Sequence, residues 1–304
     1  MKKITLTLIS CVMFLTIYAQ SIDIQCFLVD SVTQVPIQYA NIGISEKNIG
    51  TVTDENGRFV LAVPDSLANQ DLTLSRIGYQ RKTIAVNSFG SHTDTLLFVP
   101  EIYELQEVTI SAGKMREKKV GHAGNKIVQF QDHARHLGYE FGTMLKLSKK
   151  KPTLLKDFNF RAVTFGNIDY ALMRVNIYHI DGEVFTNVLK ENIYVTLTDN
   201  ELGCEKCVNL LPYNIVVQGE IAVTLELVKI RYKSEPQKVE QETESYGFGG
   251  IGYDGTFLNN MCGRDASQGA WETISAVGPG FGCMFCNEKF SFHSWKRIRI
   301  FANR

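Results

Sequence analysis

Short apolar runs, each closed by turn-forming residues, recur through the first third of the chain. The runs are Ile22 to Val29 (IDIQCFLV), Ala40 to Ile44, Phe59 to Val63, Leu72 to Leu74, Lys82 to Val86 and Thr95 to Val99. Val35-Pro36, Asp54-Glu55-Asn56-Gly57, Pro64-Asp65-Ser66 and Ser88-Phe89-Gly90-Ser91 separate them. Strand-length segments at a spacing of roughly 8–12 residues with turns between them predict a β-sandwich. Thr51-Val52-Thr53 before Asp54 to Gly57, and Arg58-Phe59-Val60-Leu61 after it, predict a hairpin with a four-residue loop. Asp54 is placed to cap that turn through its side chain, and Gly57 supplies the positive φ that a Cβ resists.

The same block carries a family resemblance. Pro36-Ile37-Gln38-Tyr39-Ala40-Asn41-Ile42 comes first, then Gly50-Thr51-Val52-Thr53-Asp54 with Gly57-Arg58-Phe59. Ser75-Arg76-Ile77-Gly78-Tyr79 and Leu105-Gln106-Glu107-Val108-Thr109-Ile110 follow in order. The set resembles the carboxypeptidase-regulatory-like domain, a small transthyretin-like sandwich. It covers about residues 22–112. The resemblance implies an accessory module without catalytic residues, common in envelope proteins of Gram-negative bacteria. In outer-membrane receptors a segment like LQEVTIS leads into a plug and a long barrel. The remainder of this chain shows no series of ten-residue lipid-facing strands, so a large barrel is not expected.

Residues 113–126 (GKMREKKVGHAGNK) are polar and basic and are expected to be an exposed linker. Beyond them, Phe158 to Phe165, Tyr170 to Ile180, Asn192 to Leu197, Ile215 to Val217 and Ile221 to Tyr232 have strand character. VNIYHI and VTLELVKI alternate with period 2, which predicts one buried and one wet face. No helical crossover separates these strands, so antiparallel pairing is expected. Residues 137–151 fit either a helical turn or a strand. Glu235 to Glu244 reads as a charged loop and Gly247 to Gly255 as a glycine-rich one. Lys289 to Phe301 (KFSFHSWKRIRIF) is expected to pair back and close the second unit, since an isolated hairpin is marginal. The fold class is therefore all-β. Residues 21–112 form a transthyretin-like sandwich, 113–126 a linker, and 127–304 a second antiparallel sandwich, jelly-roll-like.

Export is the reading for residues 1–20. Lys2 and Lys3 precede the apolar run Ile4 to Tyr18, and Ala19-Gln20-Ser21 offers a cleavage site, the layout of a secretory signal peptide. The run is shorter than the ~20 residues of a transmembrane helix. Leu8-Ile9-Ser10-Cys11 resembles a lipobox, but the apolar run continues past Cys11, which argues against lipidation there. The expected location is periplasmic, outer-membrane associated or secreted, without a transmembrane helix once the leader is removed. The 32 basic and 32 acidic residues cancel. A neutral chain lacks the basic excess of a general nucleic-acid binder.

Of seven cysteines, six lie beyond the leader: Cys26, Cys204, Cys207, Cys262, Cys283 and Cys286. In an oxidising compartment, disulfides or unremarkable thiols are the leading reading. The pairs Cys204/Cys207 and Cys283/Cys286 give the alternative, a structural zinc. Cys207 and Cys283 stand 76 positions apart, far beyond the roughly 15–20 residues between the pairs of a zinc ribbon. A redox C-x-x-C needs a helix behind it, and VNLLPYNIVV after Cys207 has strand character.

No catalytic constellation emerges. Gly247 to Gly252 matches G-x-G-x-x-G but lacks the preceding strand and following helix. His133 and His136 stand at i, i+3 with no evident third ligand and with Arg135 between them. His179-Ile180-Asp181 gives two members of a triad on paper, but Gly182 makes Asp181 a turn residue. G-x-S-x-G, H-E-x-x-H and H-x-x-E are absent. Lys149-Lys150-Lys151-Pro152 reads as a wet loop. Trp271, in SQGAWETIS, is a candidate glycan-stacking ring if its loop exposes it. The expected function is a non-catalytic envelope protein that binds or scaffolds surface proteins or glycans, with no cofactor. The alternative is a glycan or peptide hydrolase acting through residues 127–304.

Overall fold

The computed structural model describes residues 21–90, 93–101, 115–121, 137–161, 168–198, 205–233, 261–274 and 297–303. Seven strands form the first sandwich: β1 (Ser21–Asp30), β2 (Asn41–Ile44), β3 (Gly50–Val52), β4 (Arg58–Pro64), β5 (Asp71–Ser75), β6 (Lys82–Ala85) and β7 (Asp94–Phe98). One sheet runs β4-β1-β7 and the other β3-β2-β5-β6. β1 pairs antiparallel with β4 and parallel with β7. The parallel pairing needs a long crossover, and the whole second sheet supplies it. Alternation sets the packing. In β4, Phe59, Leu61 and Val63 point inward while Arg58, Val60 and Ala62 face water. Ile24, Leu28, Leu72, Leu74 and Phe98 are fully buried between the sheets. Each such side chain contributes about 1.5–3 kcal/mol relative to exposure.

The expected turn at Asp54 is present, but the hairpin is not. The Asp54 carboxylate accepts from the Asn56 and Arg58 N–H groups, both at 2.8 Å, and Gly57 has φ +71°. β3 pairs with β2, however, and β4 with β1, so the turn carries the chain from one sheet to the other. Turn chemistry encodes a reversal of the chain. The sheet that each arm joins depends on where partner strands lie.

The second sandwich contains β8 (Met115–Val120), β9 (Glu140–Lys146), β10 (Thr153–Arg161), β11 (Ile168–Asp181), β12 (Val184–Asn187), β13 (Ile193–Thr198), β14 (Glu205–Asn209), β15 (Val216–Val217), β16 (Glu220–Tyr232), β17 (Met261–Arg264), β18 (Glu272–Ile274) and β19 (Arg297–Asn303). A five-stranded sheet is ordered β14-β10-β19-β8, with β15 beside β10. A seven-stranded sheet is ordered β12-β11-β16-β9-β17-β18, with β13 beside β11. Residues 115–120, expected in an exposed linker, form β8 and pair with β19. Of the closing segment, Arg297–Asn303 form β19, which lies between β10 and β8, and residues 289–296 lie outside the described residues. Pro212 lies in a 3-10 turn at Leu211–Tyr213 between β14 and β15, which interrupts the strand expected there.

The core lies between these sheets. Phe158 and Phe160 of β10 meet Met173, Val175 and Ile177 of β11 and Val223, Leu225 and Leu227 of β16. Of three register shifts among the described residues, two change the alternation in the core. Between Leu155 and Asp157 the register of β10 shifts, so odd-numbered Leu155 and even-numbered Phe158 both face inward. Opposite Leu172 and Met173, β16 skips Val228, which turns outward while Leu227 and Ile230 stay with the core.

Candidate functional site

The outer face of the seven-stranded sheet differs from expectation. β11 and β16 alternate apolar and polar residues as read, but the polar face is not wet. Arg174 is 3%, Asn176 2%, Thr224 0% and Glu226 0% exposed. The first sandwich covers that face. Tyr39 and Val52 pack against Val228, with Leu172 and Tyr194 beside them. The Tyr39 and Tyr194 rings meet edge to face at 5.6 Å. Lys229 pairs with Glu55 at 2.6 Å at the rim. The segment after β17 presses on β2 and β3. A Cβ at Gly43 or Gly50 would collide with the Ser267 carbonyl oxygen. Asn48 donates to Asp265 at 3.1 Å, and Gln268 donates to the Ser75 hydroxyl at 2.7 Å.

Under this cover the register aligns four charges in one row. Arg264 of β17 stands opposite Glu140 of β9, Glu140 opposite Glu226 of β16, and Glu226 opposite Arg174 of β11. Arg264 donates from Nε and Nη2 to one oxygen of Glu140, at 2.9 and 2.6 Å. Arg174 does the same to Glu226, at 3.0 and 2.7 Å. The Asn176 amide bridges the two carboxylates at 2.9 Å to each. Tyr178 and Thr224 donate to Glu140, and Ser267 to Glu226. Arg174 also reaches the other sandwich, donating to the Tyr39 carbonyl at 2.6 Å and to the Asn41 side chain. Burial pushes the Glu226 carboxyl up, but Arg174, Arg264 and the Asn176 amide outweigh it and hold the group below its ordinary value. Burial beside Glu140 pushes the Tyr178 hydroxyl well up. These carboxylates are spent on holding arginines and offer no oxygen to solvent.

Beside the row lies an open cleft of about 290 Å³, walled by both sandwiches. That volume is at the small end of the ~300–1,000 Å³ range of ligand pockets. Its aromatic part is Phe185 of β12 stacked on Trp271, with centroids 4.3 Å apart and planes at 11°. Tyr178 meets the Trp271 ring edge-on at 5.0 Å, and the Arg264 guanidinium lies 5.1 Å from its centroid. Trp271, the candidate ring of the sequence, is half-buried and lines the cleft. The first sandwich supplies Arg76, Tyr79, Arg81 and Glu101. Arg76 lies over the Tyr79 ring at 5.6 Å; Tyr79 stacks on Phe98 and donates to Asp30 at 2.9 Å. The Arg76 Nε and the Asn192 Oδ1 are buried and lack a hydrogen-bond partner.

Other candidates fall elsewhere. Cys204, Cys283, Cys286, His133, His136 and Gly247 to Gly252 lie outside the described residues. Cys207 is exposed on β14. Cys26 and Cys262 are buried thiols in separate sandwiches, and burial pushes Cys26 up to about 11. Among the described residues no group of three His, Cys, Asp or Glu is placed to hold a metal. His179 and Asp181 are exposed, and Gly182 makes the β11–β12 turn with φ +62°. Lys149 to Lys151 are exposed in a turn whose backbone N–H groups donate to Ser148. Among the described residues no helix is long and apolar enough to cross a membrane.

Sequence reasoning missed the charge row. Its only signal was that Arg174, Asn176, Thr224 and Glu226 occupy the polar phase of β11 and β16. It also took Arg76 only as part of a fold motif.

Residues 27–110 match the family described as the CarboxypepD_reg-like domain, and over that span the chain carries such a domain. The match covers less than a third of the sequence. No curated protein matches. Among solved structures, a DUF3823 family protein from Parabacteroides merdae ATCC 43184 is similar at 7% identity and a TM-score of 0.20, covering 70% of this chain and 100% of that one.

Proposed function

We propose that this chain, a carboxypeptidase-regulatory-like domain joined to a second β-sandwich, is an exported, non-catalytic envelope protein that binds a glycan between its two sandwiches. The leader-like residues 1–20 support export to the periplasm, the outer membrane or beyond. The observation that carries the reading is the stacked Phe185–Trp271 pair in a cleft whose lining includes five side-chain amides and four arginines. Sugars present apolar C–H faces and polar rims. Phe185 stacks on the half-buried indole and Arg264 lies over it, so the apolar contact on offer is the exposed edge of that stack, beside hydrogen-bonding side chains. The charge row makes the cleft a fixed shape, because Arg174 ties the second sandwich to Tyr39 and Asn41 of the first.

The test is a glycan array with the mature chain and its Trp271→Ala variant. Retention of one glycan class by the first and its loss by the second is the expected result. Retention that is unchanged in the variant places the site elsewhere. Capture of surface proteins with no glycan retained favours a scaffolding role instead.

A second reading, a hydrolase acting through residues 127–304, draws on the facing carboxylates Glu140 and Glu226. Glycosidases of the retaining type keep two carboxyls about 5–5.5 Å apart, one of them held protonated. Both carboxylates here are 0% exposed and bound to arginine, so this reading is the weaker. Turnover that Glu226→Gln abolishes in a folded protein would restore it.

A further inference from the structure

We infer that the cleft takes an acidic saccharide, with the sugar ring against Trp271 and its anionic group at Arg76. The inference rests on the glycan-binding reading above and adds the charge of the ligand. Four arginines line the cleft. Two are neutralised from behind, Arg174 by Glu226 and Arg264 by Glu140. Among the described residues Arg76 and Arg81 form no ion pair, and Glu101 is the only acidic side chain that lines the cleft. The unpaired charge of the cleft is therefore positive.

Arg76 is the better placed of the two free arginines. Arg81 is exposed, whereas Arg76 is half-buried and held over Tyr79, which Phe98 and Asp30 fix in turn. Its Nε is closed to water and has no acceptor. A guanidinium in that state lacks an anion, and its planar edge matches a carboxylate or sulfate through two parallel bonds. Arg76 is itself part of the cleft wall. The second orphaned atom in the lining, the Asn192 Oδ1, is an acceptor suited to a sugar hydroxyl. A ligand with one anionic group and free hydroxyls satisfies both.

The test uses the full mature chain and three probes of equal length: a galacturonate trisaccharide, its carboxyl-reduced neutral counterpart and a sulfated galactose trisaccharide. Titration calorimetry should show one charged probe binding about 10- to 100-fold more tightly than the neutral one, the worth of one charge-assisted pair. Whichever charged probe leads identifies the anion. Arg76→Gln should remove the preference and Glu101→Gln should widen it. Equal binding of charged and neutral probes, lost in Trp271→Ala, overturns this inference and leaves the glycan reading standing. No binding of any probe, with none on the array, overturns both. A preference that persists in Arg76→Gln overturns the assignment of Arg76. The wild-type comparison needs no variant, so the result holds even where a substitution unfolds the chain.

Discussion

Glu140 and Glu226 face each other in direct register across β9 and β16, and neither is exposed. Like charges opposite one another destabilise a sheet. The arrangement stands because Arg264 and Arg174 flank the pair on the next strands and Asn176 bridges it. The row is neutral as a whole, and each member depends on the others.

Removing one member should therefore be severe. Arg174→Met leaves Glu226 buried without its counter-ion and breaks the bonds to Tyr39 and Asn41, at a cost of about 3–5 kcal/mol. Combining it with Glu226→Leu should recover much of that loss, because an apolar pair needs no solvation. Urea melts of the singles and the double check this; a loss under about 1 kcal/mol for Arg174→Met would show the row to be ornamental.

Acid should loosen the same row. The Glu226 carboxyl lies below its ordinary value of 4.5 in the folded chain. In that range the unfolded chain binds more protons, so stability rises with pH. The contribution is complete above pH 4.5 and is lost as pH falls through the depressed value. Melting temperatures from pH 7 to pH 3 should show this acid limb, and Glu226→Gln should flatten it while lowering stability near neutrality.

Gly43→Ala and Gly50→Ala should weaken the seam between the sandwiches. The added methyl meets the Ser267 carbonyl oxygen, so the segment after β17 must lift away. Overpacking of this kind costs about 1–3 kcal/mol. Amide exchange should accelerate in residues 265–269 and stay unchanged in β1 and β4, which lie in the other sheet of the first sandwich.

Cys26 and Cys262 should be inert in the folded protein. Both are buried, and burial pushes Cys26 up to about 11 and Cys262 further still, so neither offers thiolate near pH 8. Mass spectrometry after iodoacetamide treatment should find both unmodified until denaturant is added. Labelling of either one in native conditions contradicts the packing.

The strands of the first sandwich were legible residue by residue, because turn residues and period-2 alternation are local properties of the chain. The same holds for β11, β13 and β16, whereas β10 begins at Thr153, five residues before the Phe158 at which the apolar pattern starts. The carboxypeptidase-regulatory-like segment was legible from its ordered motifs. The hairpin at Asp54 was misread because strand partners are chosen at a distance.

What the sequence by itself determined was the strands and turns of the first sandwich, and β11, β13 and β16 of the second with their polar faces; β8 reads as linker, and β12, β17 and β18 carry no strand signal of their own. Whether a polar face meets water was decided only by the tertiary structure. Alternation records side-chain chemistry and is blind to what lies across from it. Arg174 and Glu226 are 52 residues apart in the chain, and Arg174 meets Tyr39 across 135. Only when the first sandwich settles on the second do those residues leave water together, and only then do Arg76 and Trp271 share one cleft.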